Sequence, residues 1–323
     1  MRQGTTTLRA AMLVGVLTPL AAHAQPVELH TEGRIYLLEA TAASHAQTEV
    51  ARLAAREAED EAVREFAESL LEDYTERSET LSGLAEEYGV EPVTALDPVS
   101  ERRLEALRGL SGPAFDAEYV TGQVPALYGE GWVHRRAAEH ATEAPIREVA
   151  EAAVAPTEAS YDAALALALE REGEMPDGLH PWDSTALVFG MGIDRAQVAL
   201  GELVLARSDD ERARSFAERM VEDHSRSFDA SAALAEEHGV APVEEPGPVE
   251  TRVIERLSQL SGEELDREYL GSQVIFHDHW YKRLEFAGHN GRDEAVTAMG
   301  ARGHEMGKTH HDAVYGIVQG LGD

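Results

Sequence analysis

Apolar side chains recur every three to four residues along most of this chain, and alternation with a period of two appears nowhere over a useful length. The pattern predicts helices and no sheet. The later half reads most cleanly. After "GEMPDGLHPWDS" at 173–184, Leu187, Phe189, Ile193, Ala196, Leu200 and Leu203 mark a helix over about 185–207. Ser208 and Asp209 break it and offer a cap to the next helix, which runs to about His238 and stops at Gly239, with Pro242 close behind. Val253, Leu257 and Leu260 share one side of a short helix at 249–260. Ser261-Gly262-Glu263-Glu264 predicts a capping box that opens a third long helix ending near 288–293, and a fourth covers about 294–318. Four long amphipathic helices, with one short helix in the longest connection, describe an antiparallel four-helix bundle.

The same plan occurs twice. "FAESLLEDYTER" at 66–77 returns as "FAERMVEDHSRS" at 216–227, "LAEEYGVEPV" at 84–93 as "LAEEHGVAPV" at 234–243, and "LSGPAFDAEYVTGQV" at 110–124 as "LSGEELDREYLGSQV" at 260–274, always 150 residues apart. A unit of that length is too long for a solenoid repeat. The expected organisation is therefore all-α: a first bundle over 25–172, a linker over 173–184 and a second bundle over 185–323.

The 323 residues suffice for two domains that each bury a core. Residues 1–24, "MRQGTTTLRAAMLVGVLTPLAAHA", carry two arginines, an apolar run and a small-x-small end, which predicts a signal peptide cut after Ala24 and a periplasmic or otherwise exported protein. No later stretch approaches the length of apolar sequence that spans a bilayer. The absence of cysteine excludes disulfides, thiolate ligands and thiol nucleophiles. A formal net charge of −32 argues against a nucleic-acid partner, because phosphate contacts need a basic surface. The acids are scattered over polar helix faces and form no long block, as a solvated surface would have them.

Phe216-Ala217, Met220-Val221 and Asp223-His224, then Leu234-Ala235 with Gly239-Val240, then Leu260-Ser261-Gly262 with Leu265-Asp266 and Tyr269, and finally "KTHHDAV" at 308–314 together resemble a bacterial family, domain-of-unknown-function family 4142. The resemblance is strong over about 185–318 and weaker over about 36–170. It implies a ferritin-like bundle and export to the Gram-negative envelope, and it implies no established reaction.

Histidine is the only candidate chemistry. The second copy holds His224, His277, His279, His289, His304, His310 and His311, whereas the first bundle holds His45, His134 and His140. Phe216-Met220-His224-Phe228, Leu270-Val274-His277-Tyr281-Leu284 and Met299-Gly303-Met306-His310-Val314 are three inward stripes on three helices, each carrying one imidazole. Three such rings can meet in a bundle interior and hold zinc, copper or iron with one position left open. Glu218, Asp223, His304 and His311 are the possible outer contributors, with Glu222 also near His224. His279 and His289 are expected to be exposed, and His238 to complement the dipole of its helix. At the matching positions the first copy has Tyr74, Leu127, Ser160 and Tyr161 for His224, His277, His310 and His311, so it cannot hold the same site.

A ferritin-type di-iron centre needs Glu-x-x-His on two helices, and neither copy contains one; Gln47 and Gln197 stand where carboxylates would serve better. No phosphate loop and no nucleophile elbow is present. Ser225 beside Asp223 and His224 cannot form a triad, since neighbours on a helix point about 100° apart. The adjacent acids Glu72-Asp73 and Glu222-Asp223 diverge for the same reason, which argues against a glycoside hydrolase. Trp132, Trp182, Trp280, Tyr119 and Tyr269 read as packing anchors. The leading expectation is thus a non-enzymatic envelope protein whose acidic surface meets other envelope components or cations; the rival is a metal-binding or redox-active protein built on His224, His277 and His310.

Overall fold

The computed structural model describes residues 29–320, so the signal-peptide expectation for residues 1–24 lies outside the described residues. Ten α-helices account for nearly all of the described chain: α1 (Thr31–Glu57), α2 (Glu61–Glu87), α3 (Pro98–Arg108), α4 (Pro113–His140), α5 (Ala144–Glu170), α6 (Pro181–Arg207), α7 (Glu211–Glu237), α8 (Pro248–Ser258), α9 (Gly262–Asn290) and α10 (Glu294–Gln319). A single 3-10 turn, Glu172–Glu174, joins the halves, and no strand occurs among the described residues. The long helices pack as hairpins, α1 on α2, α4 on α5, α6 on α7 and α9 on α10, giving one four-helix bundle in each half.

Local chemistry sets the helix ends. Asp60, Asp210 and Asp293 each accept two backbone N–H groups at the start of α2, α7 and α10, and Asp97 does so for α3. The cap of α7 is therefore Asp210, one residue beyond the expected pair; Ser208 instead accepts the N–H of Asp210. Ser261 occupies the N-cap of α9, but its side chain makes no cap bond, so the expected capping box does not form. Helix α6 starts four residues early, at Pro181, because the His180 ring accepts from the Trp182 N–H and proline suits the first turn. Helices α2 and α7 end at equivalent glycines, Gly89 and Gly239, whose φ of 65° and 68° disfavours any residue with a Cβ.

The two bundles share an interface made by α1, α4, α6 and α9. One apolar cluster runs from Ile35 and Leu37 through Leu200 and Phe216 to Phe276 and Trp280, and another joins Tyr119 and Leu127 to Trp182 and Phe286. Polar links cross it too. Arg136 spans Glu32 and Asp278 at 3.0 and 2.8 Å, and Trp182 Nε1 donates to the Thr121 carbonyl at 2.9 Å. With α9 in this central position, His279 is buried 2.9 Å from Glu39, a correction to its expected exposure. His289, near the end of α9, is exposed as expected. The tyrosines Tyr119 and Tyr269 are fully buried anchors.

Candidate metal centre

The second bundle brings His224 of α7, His277 of α9 and His310 of α10 together in its interior, all three buried. One ring nitrogen from each lies within 4.8 Å of the others. Ring centroids are 5.4 Å apart for His224–His310 and His277–His310, and 6.1 Å for His224–His277. Three points no more than 4.8 Å apart lie within about 2.8 Å of a common centre, against zinc–nitrogen bonds of about 2.0–2.1 Å. Side-chain shifts below about 1 Å therefore close the set on one ion.

Each ring has one nitrogen already engaged. His224 Nδ1 pairs with Asp194 Oδ1 at 2.7 Å, His277 Nδ1 with the Gln273 carbonyl at 2.9 Å, and His310 Nε2 with Asp223 Oδ2 at 2.9 Å. All three partners are acceptors, so each engaged nitrogen carries the proton and the other keeps its lone pair. The nitrogens left over, His224 Nε2, His277 Nε2 and His310 Nδ1, are buried and have no hydrogen-bond partner among the described residues. Outer carboxylates and carbonyls that orient imidazoles in this way are the usual surroundings of histidine metal ligands.

Electrostatics favour the neutral ligand form. Burial, aided by the neighbouring His224 and His310 rings, pushes His277 well below the usual imidazole range. Burial, and then His224, brings His310 down to about 4 despite the opposing pull of Asp223. Burial works against the Asp223 carboxylate, but His310, Arg226 and Arg219 hold it below its ordinary value. Burial lifts Asp194, with His224 opposing.

Of the expected outer contributors, only Asp223 reaches the cluster. Glu218 is exposed, the His304 ring donates to the Tyr281 carbonyl at 3.0 Å, and His311 stacks on Tyr315. The residue that sequence reasoning missed is Asp194, the contribution of α6. Its signal was present: Leu187, Gly190, Asp194, Gln197 and Gly201 form an inward stripe that carries one acid and no other charge.

Beside the triad lies a cavity of about 370 Å³, walled by Trp280, Leu284, Met299, Met306, Ser227 and Gly307 among others. The first bundle differs at the matching place. There Glu130 accepts from Tyr74 Oη at 2.6 Å and from Arg77 Nη1 at 2.5 Å, and it pairs with His134 Nε2 at 3.1 Å. His134 Nδ1 meets Tyr36 Oη at 3.3 Å, so this cluster satisfies itself.

No curated protein and no solved structure matches the chain. The model of the family described as "Domain of unknown function (DUF4142)" matches residues 18–167 and again residues 178–317. With both halves covered in tandem, the chain belongs to the DUF4142 family.

Proposed function

We propose that this protein binds a single transition-metal ion in its second bundle through His224 Nε2, His277 Nε2 and His310 Nδ1. The observation that carries the reading is the coincidence of two independent facts. The three imidazoles converge, and the one nitrogen on each ring that lacks a hydrogen-bond partner is the one its acceptor leaves with a lone pair. A buried polar atom without a partner costs about 1–3 kcal/mol, and a metal ion offsets that cost at all three. Three neutral nitrogens with carboxylates behind two of them suit zinc, copper or iron. Bound there, the ion supplies a Lewis-acidic or redox centre with an open position beside the cavity. Asp194, Gln273 and Asp223 fix the tautomers.

The proposal includes export, as the N-terminal sequence predicts, and makes the first bundle structural. The alternative in which the acidic surface binds envelope components rests on exposed acids such as Glu68, Glu72, Glu76 and Glu79 of α2, which solvation alone accounts for. Elemental analysis of untagged protein, purified without chelator, is the test, beside a His224→Ala, His277→Ala, His310→Ala triple variant. About one equivalent of metal in the first and none in the folded variant is the expected result. Metal absent from both after reconstitution, or equal in both, overturns the reading.

A further inference from the structure

A second site lies between the bundles, away from the histidines. Helix α3 presents Arg103 to a cavity of about 130 Å³ that is also walled by Trp182 and Phe286. Arg103 forms no ion pair and no hydrogen bond among the described residues, and its Nη2 is shut off from solvent. Three other inner arginines have partners, Arg77 with Glu130, Arg136 with Glu32 and Asp278, and Arg171 with Asp60, whereas Arg283, at the same cavity, leaves its buried Nε unpaired among the described residues. Two acids are near Arg103 but do not pair with it. Asp97 is committed to the Val99 and Ser100 N–H groups and the Ser100 hydroxyl, and Glu118 lies beyond ion-pair reach. In a chain of formal charge −32, a half-buried guanidinium without an ion-pair partner is the feature to explain.

The repeat shows that packing does not require it. The matching residue of the second half is Val253, buried, and facing it Ser272 stands where the first half has Gly122. The pair changes together. A Cβ at Gly122 would sit 2.9 Å from Arg103 Nε and 3.5 Å from Cζ, so the glycine makes the bed on which the guanidinium lies. A valine holds the equivalent short helix down without any such adjustment. Gln47, also buried at the cavity wall, has its Oε1 without a partner.

We infer that this cavity binds a small organic monocarboxylate, its carboxylate on Arg103 and its apolar body against the wall formed by Trp182 and Phe286. The guanidinium fork matches a planar carboxylate with two parallel hydrogen bonds. Trp182 and Phe286 meet edge to face at 5.4 Å and give the body an apolar seat. At about 30 Å³ per water-sized unit, the cavity takes roughly four to five non-hydrogen atoms, the size of a short-chain acid. Arg283 also lines the cavity, and so do the acids Asp97 and Glu130, whose charges disfavour a doubly charged anion such as the phosphate dianion.

Titration calorimetry at neutral pH tests this on the full chain, with sodium formate, acetate and propionate against chloride and phosphate at equal ionic strength. Saturable one-site binding of at least one carboxylate, and none of chloride or phosphate, is expected. Arg103→Val, which copies the second half, should weaken that binding tenfold or more while raising the melting temperature of the ligand-free protein. Arg103→Lys keeps the charge, loses the fork and should also bind at least several-fold more weakly; it serves as the readout if the valine variant does not fold. The inference is overturned by the absence of saturable binding for every carboxylate, by phosphate binding as tightly as they do, or by unchanged affinity in the Arg103 variants. Metal content plays no part in this readout, so it stands or falls apart from the histidine site.

Discussion

Replacing His277 by leucine separates a ligand role from a packing role by the sign of its effect. His277 is fully buried on α9, its Nε2 has no hydrogen-bond partner, and the first bundle keeps a buried leucine, Leu127, at the equivalent position. Its Nδ1 bond goes to the Gln273 carbonyl, which also accepts the helical N–H four residues on, so truncation leaves no new orphan. Removing an unpaired nitrogen returns about 1–3 kcal/mol, less up to roughly 1 kcal/mol for imperfect shape. Metal-free His277→Leu is thus expected to be as stable as the parent or up to about 2 kcal/mol more stable. With metal at about 100 times Kd, the parent gains about 2.7 kcal/mol and the variant gains nothing. At roughly 2–4 °C per kcal/mol, the order of melting temperatures should reverse between chelator and metal, which differential scanning calorimetry resolves. A variant that falls by about 3–5 kcal/mol without metal, and responds to metal as the parent does, would refute a ligand role.

Asp194→Asn should keep the fold and weaken metal binding about ten- to hundredfold, read by competition with a chromophoric chelator, because His224 loses the carboxylate that orients it. Gly300→Ala should lower stability by about 1–3 kcal/mol, because its Cβ would lie 2.8 Å from the Gly288 nitrogen and force α9 from α10; Gly316→Ala, with nothing within 4 Å, should be neutral or stabilising in the same melting assay. Burial opposes ionisation of Glu130, yet His134, Arg77 and Tyr74 hold it down to about 2 against an ordinary 4.5. Its folded pKa is depressed, so its contribution of about 3 kcal/mol is present above about pH 4.5 and is lost as pH falls towards 2. Glu130→Gln should lower stability at pH 7 and flatten that acid limb in urea titrations.

Helices, hairpin pairing and the duplication were legible because helical periodicity and Asp or Gly punctuation are local properties. The triad was legible too, since three stripes with one imidazole each leave little freedom once they face a common core. What the sequence could not display depends on how the halves meet. His279 looks solvent-facing on its own helix but is covered because α9 is shared between the bundles. Glu130 is likewise an unremarkable acid in "YGEGWVH" until Arg77, 53 residues away, is placed beside it. Asp194 is the intermediate case, readable as an acid on an inward stripe but without its partner His224 in view.

The two polar centres occupy corresponding space with opposite solutions. In the first bundle Arg77, Glu130, His134 and Thr157 fill the interior with a network that closes on itself. Their counterparts 150 residues on are Ser227, Trp280, Leu284 and Gly307, and all four line the cavity beside the histidines. Exchanging arginine for serine and threonine for glycine vacates volume, and exchanging glutamate and histidine for tryptophan and leucine makes that part of the wall apolar. The same exchange takes Tyr74 to His224 and Leu127 to His277, so the loss of the internal ion pair and the gain of imidazoles face one space. A bundle selected for stability alone would keep the satisfied network, since a cavity and three unpaired nitrogens both cost free energy. On the proposed reading the second bundle is organised around an ion that enters it, while α1 and α4 of the first pack against α6 and α9.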